Sequence, residues 1–482
     1  MILNELLSAT KVLNTVGNTD IDIAAIAFDS RKVAQNTLFV AQAGTAVDGH
    51  DYIGKALDSG ATPIVCERIP EDVAERDAWF IVVEDSSKAL GELACQWYGQ
   101  PSKHLTLVGV TGTNGKTTIA TLLYKLVRGL GHKAGLLSTV VNYIEDEAVA
   151  STHTTPDALE LNSLLKQMVD AGCTYAFMEV SSHSIAQERI AGLDFDGAIF
   201  TNLTRDHIDF HKTFDNYRDT KKRLFDGLKK NAFAITNKDD KNGLIMTQNC
   251  QASVCTYSTR ALADYRAQIL EEGFDGMLLQ VNNQEVFVPL VGRFNVSNIL
   301  AIYGAAVSLG FEPTEVLRVL STLKPVNGRF ESIASPKGWT AIIDYAHTPD
   351  AVENVINTIN EIRKSGSRLI TIVGCGGNRD KGKRPMMASL AKHGSDRLIL
   401  TSDNPRDEEP ADILKDMIAG LTEAEQRDTL IIEDREMAIR TACMMAEAGD
   451  VILVAGKGHE DYQIIKGVKH HFDDHEVVRK YM

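Results

Sequence analysis

The chain alternates short apolar runs with amphipathic stretches, in three successive blocks. In residues 1–100, apolar runs at 38–43, 62–67 and 80–84 predict strands. Leu90, Leu93, Ala94, Trp97 and Tyr98 then recur at helical spacing, with Ser86 placed to cap that helix. Gln100-Pro101-Ser102 breaks the pattern and sets the first boundary. In residues 101–329, a run at 105–110 leads through a glycine-rich turn to Ile119, Leu122, Leu123, Leu126, Val127 and Leu130, one face of an amphipathic helix. Further strands are predicted at 174–180 and 197–202, a hairpin at 277–281 and 285–290, and helices at 295–309 and 314–323. Lys324-Pro325-Val326-Asn327-Gly328-Arg329 is rich in turn formers and sets the second boundary. Residues 330–482 repeat strand then helix, with strands at 341–343, 369–373, 397–401 and 451–454. The pattern predicts an α/β protein of three domains: a smaller N-terminal α/β domain, a central domain with a parallel sheet and a P-loop-type phosphate loop, and a C-terminal Rossmann-like domain.

Composition narrows the partners. With 482 residues, the chain exceeds what one core supports. Its 44% apolar and 24% charged residues are those of an ordinary globular protein. The net charge of −15 argues against a nucleic-acid partner, which needs a basic footprint. Seven scattered cysteines without a C-x-x-C pair fit a reducing compartment better than a disulfide framework or zinc site. No run approaches membrane-spanning length and no export signal is visible, so a cytoplasmic protein without a membrane partner is expected, and a monomer.

The chemistry concentrates at predicted strand ends. Val110 to Thr118, V-T-G-T-N-G-K-T-T, sits between strand and helix, where backbone N–H groups and the helix dipole cradle anions. Lys116 is placed to reach β- and γ-phosphates and Thr117 to put a hydroxyl on Mg²⁺. The strict spacing fails, because Val110 stands where glycine is wanted and Gly109 is one place early. Glu179 with Ser181-Ser182-His183-Ser184, and Thr204 through His211, follow the next two strands, where carboxylates and imidazoles suit metal or water positioning. In the third block, clusters at 344–349, 374–382, 403–406 and 456–460 follow the four strands. Ligands of parallel sheets bind outside the strands' carboxyl ends, so these clusters are expected to converge on one crevice.

The motifs T-G-T-N-G-K-T-T, E-V-S-S-H, T-N-L-T-R-D-H-I-D-F-H, N-G-R-F-E, D-Y-A-H-T-P, G-C-G-G-N-R-D-K-G-K-R-P, D-N-P-R and G-K-G-H-E resemble, in order and over all three blocks, those of the Mur ligases of peptidoglycan synthesis. That family's loop reads G-T-N-G-K-[ST], which accounts for the spacing. The resemblance implies an ATP- and Mg²⁺-dependent ligase that forms a peptide bond through an acyl phosphate, and within the family the branch adding meso-diaminopimelate. It implies nucleotide contacts from Gly112, Thr113, Asn114, Gly115, Lys116, Thr117, Thr118, Asn202, Arg329, Asp344 and His347. Mg²⁺ would be held by Thr117, Glu179, His207 and Lys221, the last as a carbamate; Lys116, His207 and Lys221 would be catalytic. The UDP-sugar and its dipeptide would lie against Phe28, Ser30, Ala41, Gln42, Ala43, His153, Thr154, Thr155, Ser181, Gln187 and Arg189. Diaminopimelate would be met by Arg379, Asp403, Asn404, Pro405, Arg406, Gly456 and Glu460, with Arg406 as the fork that pairs its distal carboxylate. His153, Asn378 and Thr220 depart from the family's usual residues. A lysine-adding ligase, a folylpolyglutamate synthetase, and a nucleotide-dependent switch or binding protein remain alternatives.

Overall fold

The computed structural model describes residues 1–44, 47–76 and 78–482. Each block builds its own sheet. The N-terminal sheet has five strands in the order Val12–Val16, Phe80–Val83, Ala61–Cys66, Thr37–Val40, Ala25–Ala27, and only the first pair is antiparallel. Helix Ser86–Trp97 covers it with Leu90, Leu93 and Ala94. Its N-cap is Asp85, whose side chain accepts from the Lys88 N–H, and not Ser86. Ser86 is the first helical residue and spends its hydroxyl on Glu67 Oε1 at 2.8 Å. Asp and Ser cap about equally well, so sequence alone could not separate neighbours.

The central sheet has eleven strands. Thr106–Thr111 lies in its middle, parallel to Tyr175–Glu179 on one side and Gly197–Phe200 on the other. Helices Lys116–Gly129 and Arg293–Ser308 pack on one face, and Ala158–Asp170 and Phe214–Asp226 on the other. The sheet is not parallel throughout. At one edge Tyr265–Gly273, Gly276–Val281 and Gln284–Val288 form an antiparallel meander, and at the other Asn142–Ile144 and Glu147–Val149 form a hairpin. Edge strands face water on one side, so they carry an alternating pattern that fully buried parallel strands lack.

The C-terminal sheet runs Glu331–Ala334, Thr340–Asp344, Val451–Ala455, Leu369–Cys375, Arg397–Ser402, Thr429–Ile431, antiparallel only at Glu331–Ala334. The four strands expected to carry polar clusters are therefore four adjacent, parallel ones. Arg435, at the start of helix Arg435–Met445, is fully buried and forks onto Asp474 through Nε and Nη2, each at 2.8 Å, while Nη2 also donates to Ala455 O. This pair ties the last helix, Asp474–Tyr481, beneath the strand end at Ala455. Removing one partner leaves a buried charge without compensation, so Asp474→Ala should lose about 3–5 kcal/mol of stability in urea unfolding. A loss under ~1 kcal/mol would show that the guanidinium finds another acceptor. Among the described residues no helix is long and apolar enough to cross a membrane.

Candidate functional site

The carboxyl ends of the central and C-terminal sheets face one cleft, lined from both. On the central side, strand Thr106–Thr111 ends in the phosphate loop and helix Lys116–Gly129 begins at Gly115, which has φ +89°. Two of the loop glycines are required by close approach. A Cβ on Gly112 would lie 1.9 Å from Thr201 Oγ1, and one on Gly115 2.6 Å from Asn298 Oδ1. Gly109 belongs to the strand, packed against Phe195. The end of the next strand holds the loop: Thr201 Oγ1 donates to Asn114 O at 2.6 Å, and Asn114 N donates to Asn202 Oδ1 at 2.9 Å. Asn202 thus shapes the loop from behind.

Two amines converge on one loop carbonyl. Lys116 Nζ donates to Gly112 O and Thr113 O at 3.0 and 2.7 Å, and Lys221 Nζ donates to Gly112 O at 2.9 Å. Lys221 is 1% exposed and lies over the Tyr217 ring. Burial holds its amine well below the usual lysine value, the Lys116 charge adds to this, and Asp206 opposes it. Burial also lowers Lys116. Beside them Thr117 Oγ1 donates to Glu179 Oε2 at 3.0 Å and accepts from Arg329 Nη2 at 3.1 Å, while Glu179 Oε1 accepts from Thr139 N at 2.7 Å. His207, at φ +53°, caps the short helix Ile208–His211 with its ring 4.7 Å from that of His183.

The C-terminal side begins at the boundary segment, where Arg329 stacks on the Tyr345 ring at 4.5 Å. Asp344 lies beneath the surface, with its oxygens on Phe330 N (2.6 Å) and Ala346 N (2.7 Å); burial pushes its carboxyl up to about 6. His347 Nδ1 is 2.8 Å from Tyr345 O, and since a carbonyl only accepts, that nitrogen carries the proton. Burial, then the Lys383 cation, hold this imidazole down to about 4.

Beyond lies a pocket of opposite charges. Arg406, at φ +53°, donates from Nη1 to Gly377 O at 2.9 Å and has no carboxylate partner among the described residues. Its backbone is pinned to the hairpin of Tyr462–Ile465 and Val468–His471, with Arg406 N donating to Ile464 O at 3.0 Å and Lys466 N to Arg406 O at 2.6 Å. Opposite, fully buried Lys457 sits 3.5 Å from Glu460 Oε2 and 3.6 Å from Asp403 Oδ1. Asn404 Nδ2 donates to Glu460 Oε2 at 2.7 Å. Burial, then the Asp403 charge, push the Glu460 carboxyl up, and Asp403 Oδ1 is buried without a hydrogen bond. Two carboxylates share one ammonium, and a guanidinium stands unpaired across from them. An ammonium and a carboxylate on one ligand would satisfy both.

The cleft brings together Thr113, Asn114, Gly115, Lys116, Thr117, Thr154, Glu179, Ser181, His207, Lys221, Arg329, His347, Arg379, Asp403, Asn404, Arg406, Gly456 and Glu460. Gly112, Thr118, Asn202, Asp344 and Pro405 support its walls without facing it. Thr155, Gln187 and Arg189 are wired to one another beside it: Arg189 donates to Thr155 O at 2.8 Å and Gln187 Oε1 at 2.6 Å, and Thr155 Oγ1 donates to Glu179 O at 2.8 Å. His153 is exposed and touches Thr152. The N-terminal residues are not in the cleft. Ser30 opens a short 3-10 turn capped by Asp29, Phe28 packs on the N-terminal core, and residues 41–43 are stitched to Val65 O, Ser87 Oγ and Ser86 Oγ. Thr220 is half-buried and bonds its own helix at Asn216 O.

Sequence reading left several lining residues unassigned. Asp206 and His183 stood inside polar clusters without a role, as did Lys457, which is buried behind the lining. Thr139 and Tyr217 carried no signal, though Tyr217 OH is 3.0 Å from Thr113 Oγ1. Among the described residues no group of three or more His, Cys, Asp or Glu could hold a metal ion. The oxygens of Thr117 and Glu179 suit Mg²⁺, which keeps waters and phosphate oxygens as its other ligands.

Comparison with known proteins agrees along the whole chain. Residues 22–98 match the model described as Mur ligase family, catalytic domain; residues 110–306 the Mur ligase middle domain; and residues 328–458 the Mur ligase, glutamate ligase domain. The UDP-N-acetylmuramoyl-L-alanyl-D-glutamate–2,6-diaminopimelate ligase of Parabacteroides distasonis is 61% identical over 100% of this chain and 99% of its own. That of Phocaeicola vulgatus is 59% identical over 99% of each. A solved structure of an enzyme of the same name is 34% identical, covers 99% of this chain and 98% of its own, and superposes with a TM-score of 0.70. The fold is shared by a MurF ligase of Thermotoga maritima in complex with ADP, at 20% identity, 95% and 96% coverage and a TM-score of 0.60. The chain belongs to the Mur ligase family.

Proposed function

We propose that the chain is an ATP-dependent ligase that adds meso-2,6-diaminopimelate to UDP-N-acetylmuramoyl-L-alanyl-D-glutamate, working as a cytoplasmic monomer. The observation that carries this reading is a single cleft with the phosphate loop on one wall and the Arg406–Glu460 pocket on the other. Such a cleft suits two half-reactions on one carboxyl group. In the first, the γ-carboxylate of the D-glutamyl residue takes the γ-phosphoryl group of ATP, giving an acyl phosphate and ADP. In the second, the diaminopimelate amine attacks that carbonyl, a tetrahedral intermediate forms, and phosphate leaves. Lys116 and Arg329 supply fixed cations where phosphoryl oxygens gain charge. Thr117 and Glu179 would hold Mg²⁺, with His207 and Lys221 on the same side. When bound, the ion neutralises charge on the β- and γ-oxygens. Thr154 and Ser181 lie on the acceptor side, backed by Thr155, Gln187 and Arg189. Ser30, Phe28 and residues 41–43 would hold the uridine end farther out. Arg406 and Arg379 take the carboxylates of diaminopimelate, and Asp403, Asn404 and Glu460 its distal ammonium.

The test is ADP release with each substrate omitted in turn. Sustained release should require both the UDP-linked dipeptide and diaminopimelate. Release that continues unchanged without diaminopimelate would instead describe a nucleotide switch.

A further inference from the structure

Arg406 stands two residues from Glu408, close enough in sequence for the carboxylate to compete for its guanidinium. It does not, because Glu408 is spent elsewhere. Arg384, fully buried, donates from Nη2 to Glu408 Oε1 at 2.9 Å and from Nη1 to Glu408 Oε2 at 3.0 Å and Asp416 Oδ2 at 2.8 Å. The Arg384 guanidinium on its oxygens holds the Glu408 carboxyl down to about 2. Lys381 Nζ adds a contact at 3.3 Å.

The same two side chains grip the loop that carries Arg406's own acceptor. Arg384 Nη2 donates to Gly376 O at 3.2 Å, and Asn378 N donates to Glu408 Oε1 at 2.5 Å. Those groups flank Gly377, whose N–H donates to Asn404 O at 2.9 Å and whose carbonyl accepts from Arg406 Nη1. The Gly377 carbonyl is thus fixed from both neighbours. There is no room for play: a Cβ on Gly376 would lie 2.8 Å from Arg406 Nη1, and one on Gly377 1.9 Å from Pro405 O. Asn378, at φ +53°, adds its side-chain oxygen as acceptor for Asp407 N at 3.2 Å.

We infer that Glu408 and Arg384 are positioning residues for amino-acid selection: they fix the Gly377 carbonyl that aims Arg406, and they keep Glu408 from capturing Arg406 in place of the substrate carboxylate. The inference rests on the diaminopimelate reading of the pocket. It predicts that Glu408 acts only through Arg406, which a double-mutant cycle isolates. Glu408→Ala should raise KM for diaminopimelate roughly 10- to 100-fold, with KM for ATP unchanged. Glu408→Gln keeps an acceptor for Asn378 N and should recover most of that loss. On an Arg406→Ala background, Glu408→Ala should cost less than about twofold more. An equal loss in both backgrounds, a shift in KM for ATP, or normal diaminopimelate kinetics in Glu408→Ala would each overturn the inference. If Arg406→Ala alone leaves diaminopimelate kinetics intact, the reading of the pocket itself falls. Thermal unfolding of each variant separates lost stability, which is common to both backgrounds, from lost aim.

Discussion

Lys221→Ala should lower the rate of ligation by about 10²–10³-fold, the scale of losing one preorganised charge at a reacting phosphoryl group. The reason lies in where the amine sits. It is buried, bonded to Gly112 O, and pushed well below its usual pKa by burial and by the Lys116 cation. Only the unprotonated amine has the lone pair that attacks CO₂, and the lowered pKa favours that form. A nitrogen–carbon bond forms, one C=O electron pair moves to oxygen, and the nitrogen loses a proton, leaving a carbamate. A carbamate there would set an anion against the Lys116 cation and would add a carboxylate-like group to the cleft that Thr117 and Glu179 line. Protein equilibrated with ¹³C-labelled bicarbonate should give a carbamate carbon signal that Lys221→Ala lacks. Wild-type turnover in Lys221→Ala, or a wild-type protein with no such signal, would remove the carbamate from the account.

Arg406→Ala should lower kcat/KM for diaminopimelate by roughly 30- to 1,000-fold, corresponding to about 2–4 kcal/mol for one partner of a desolvated charge pair. ATP binding should stay near normal, since the phosphate loop lies on the opposite wall. The guanidinium is unusually committed to this role. Its residue is held in a left-handed backbone conformation, strapped on both sides by the hairpin of Tyr462–Ile465 and Val468–His471, and it has no carboxylate partner among the described residues. A residue kept in a sparsely populated conformation costs stability, and such strain persists where the surrounding structure over-determines it. Substrate titrations with both amino acids measure the effect. Unchanged diaminopimelate kinetics would sink the assignment.

The parts of the fold that were readable share one property: their signals are local. Strand, glycine-rich turn and amphipathic helix around Lys116 lie within 25 residues, and each of the four C-terminal clusters directly follows its strand. Parallel neighbours then bring those ends together without further information. The unreadable parts depend on distant partners. Arg384 ends a basic stretch, R-D-K-G-K-R, that looks like a solvated surface, yet it is fully buried because Glu408 and Asp416 meet it from 24 and 32 residues away. Lys457 is buried for the same kind of reason. Strand Tyr265–Gly273 is too polar to announce itself, since only Ala267 along it is fully buried. The hairpin over Arg406 is half-buried over residues 462–464 and exposed along Val468–His471, and no periodicity marks it. Likewise, the distance of Ser30 and residues 41–43 from the cleft is set by how the first block meets the second, which no motif encodes.

The most direct test gives the protein ATP, Mg²⁺, the UDP-linked dipeptide, and equal diaminopimelate and lysine, and weighs the product. The account predicts a mass gain of one diaminopimelate residue, dependent on Arg406. A product heavier by one lysine residue, or no product at all, would contradict it.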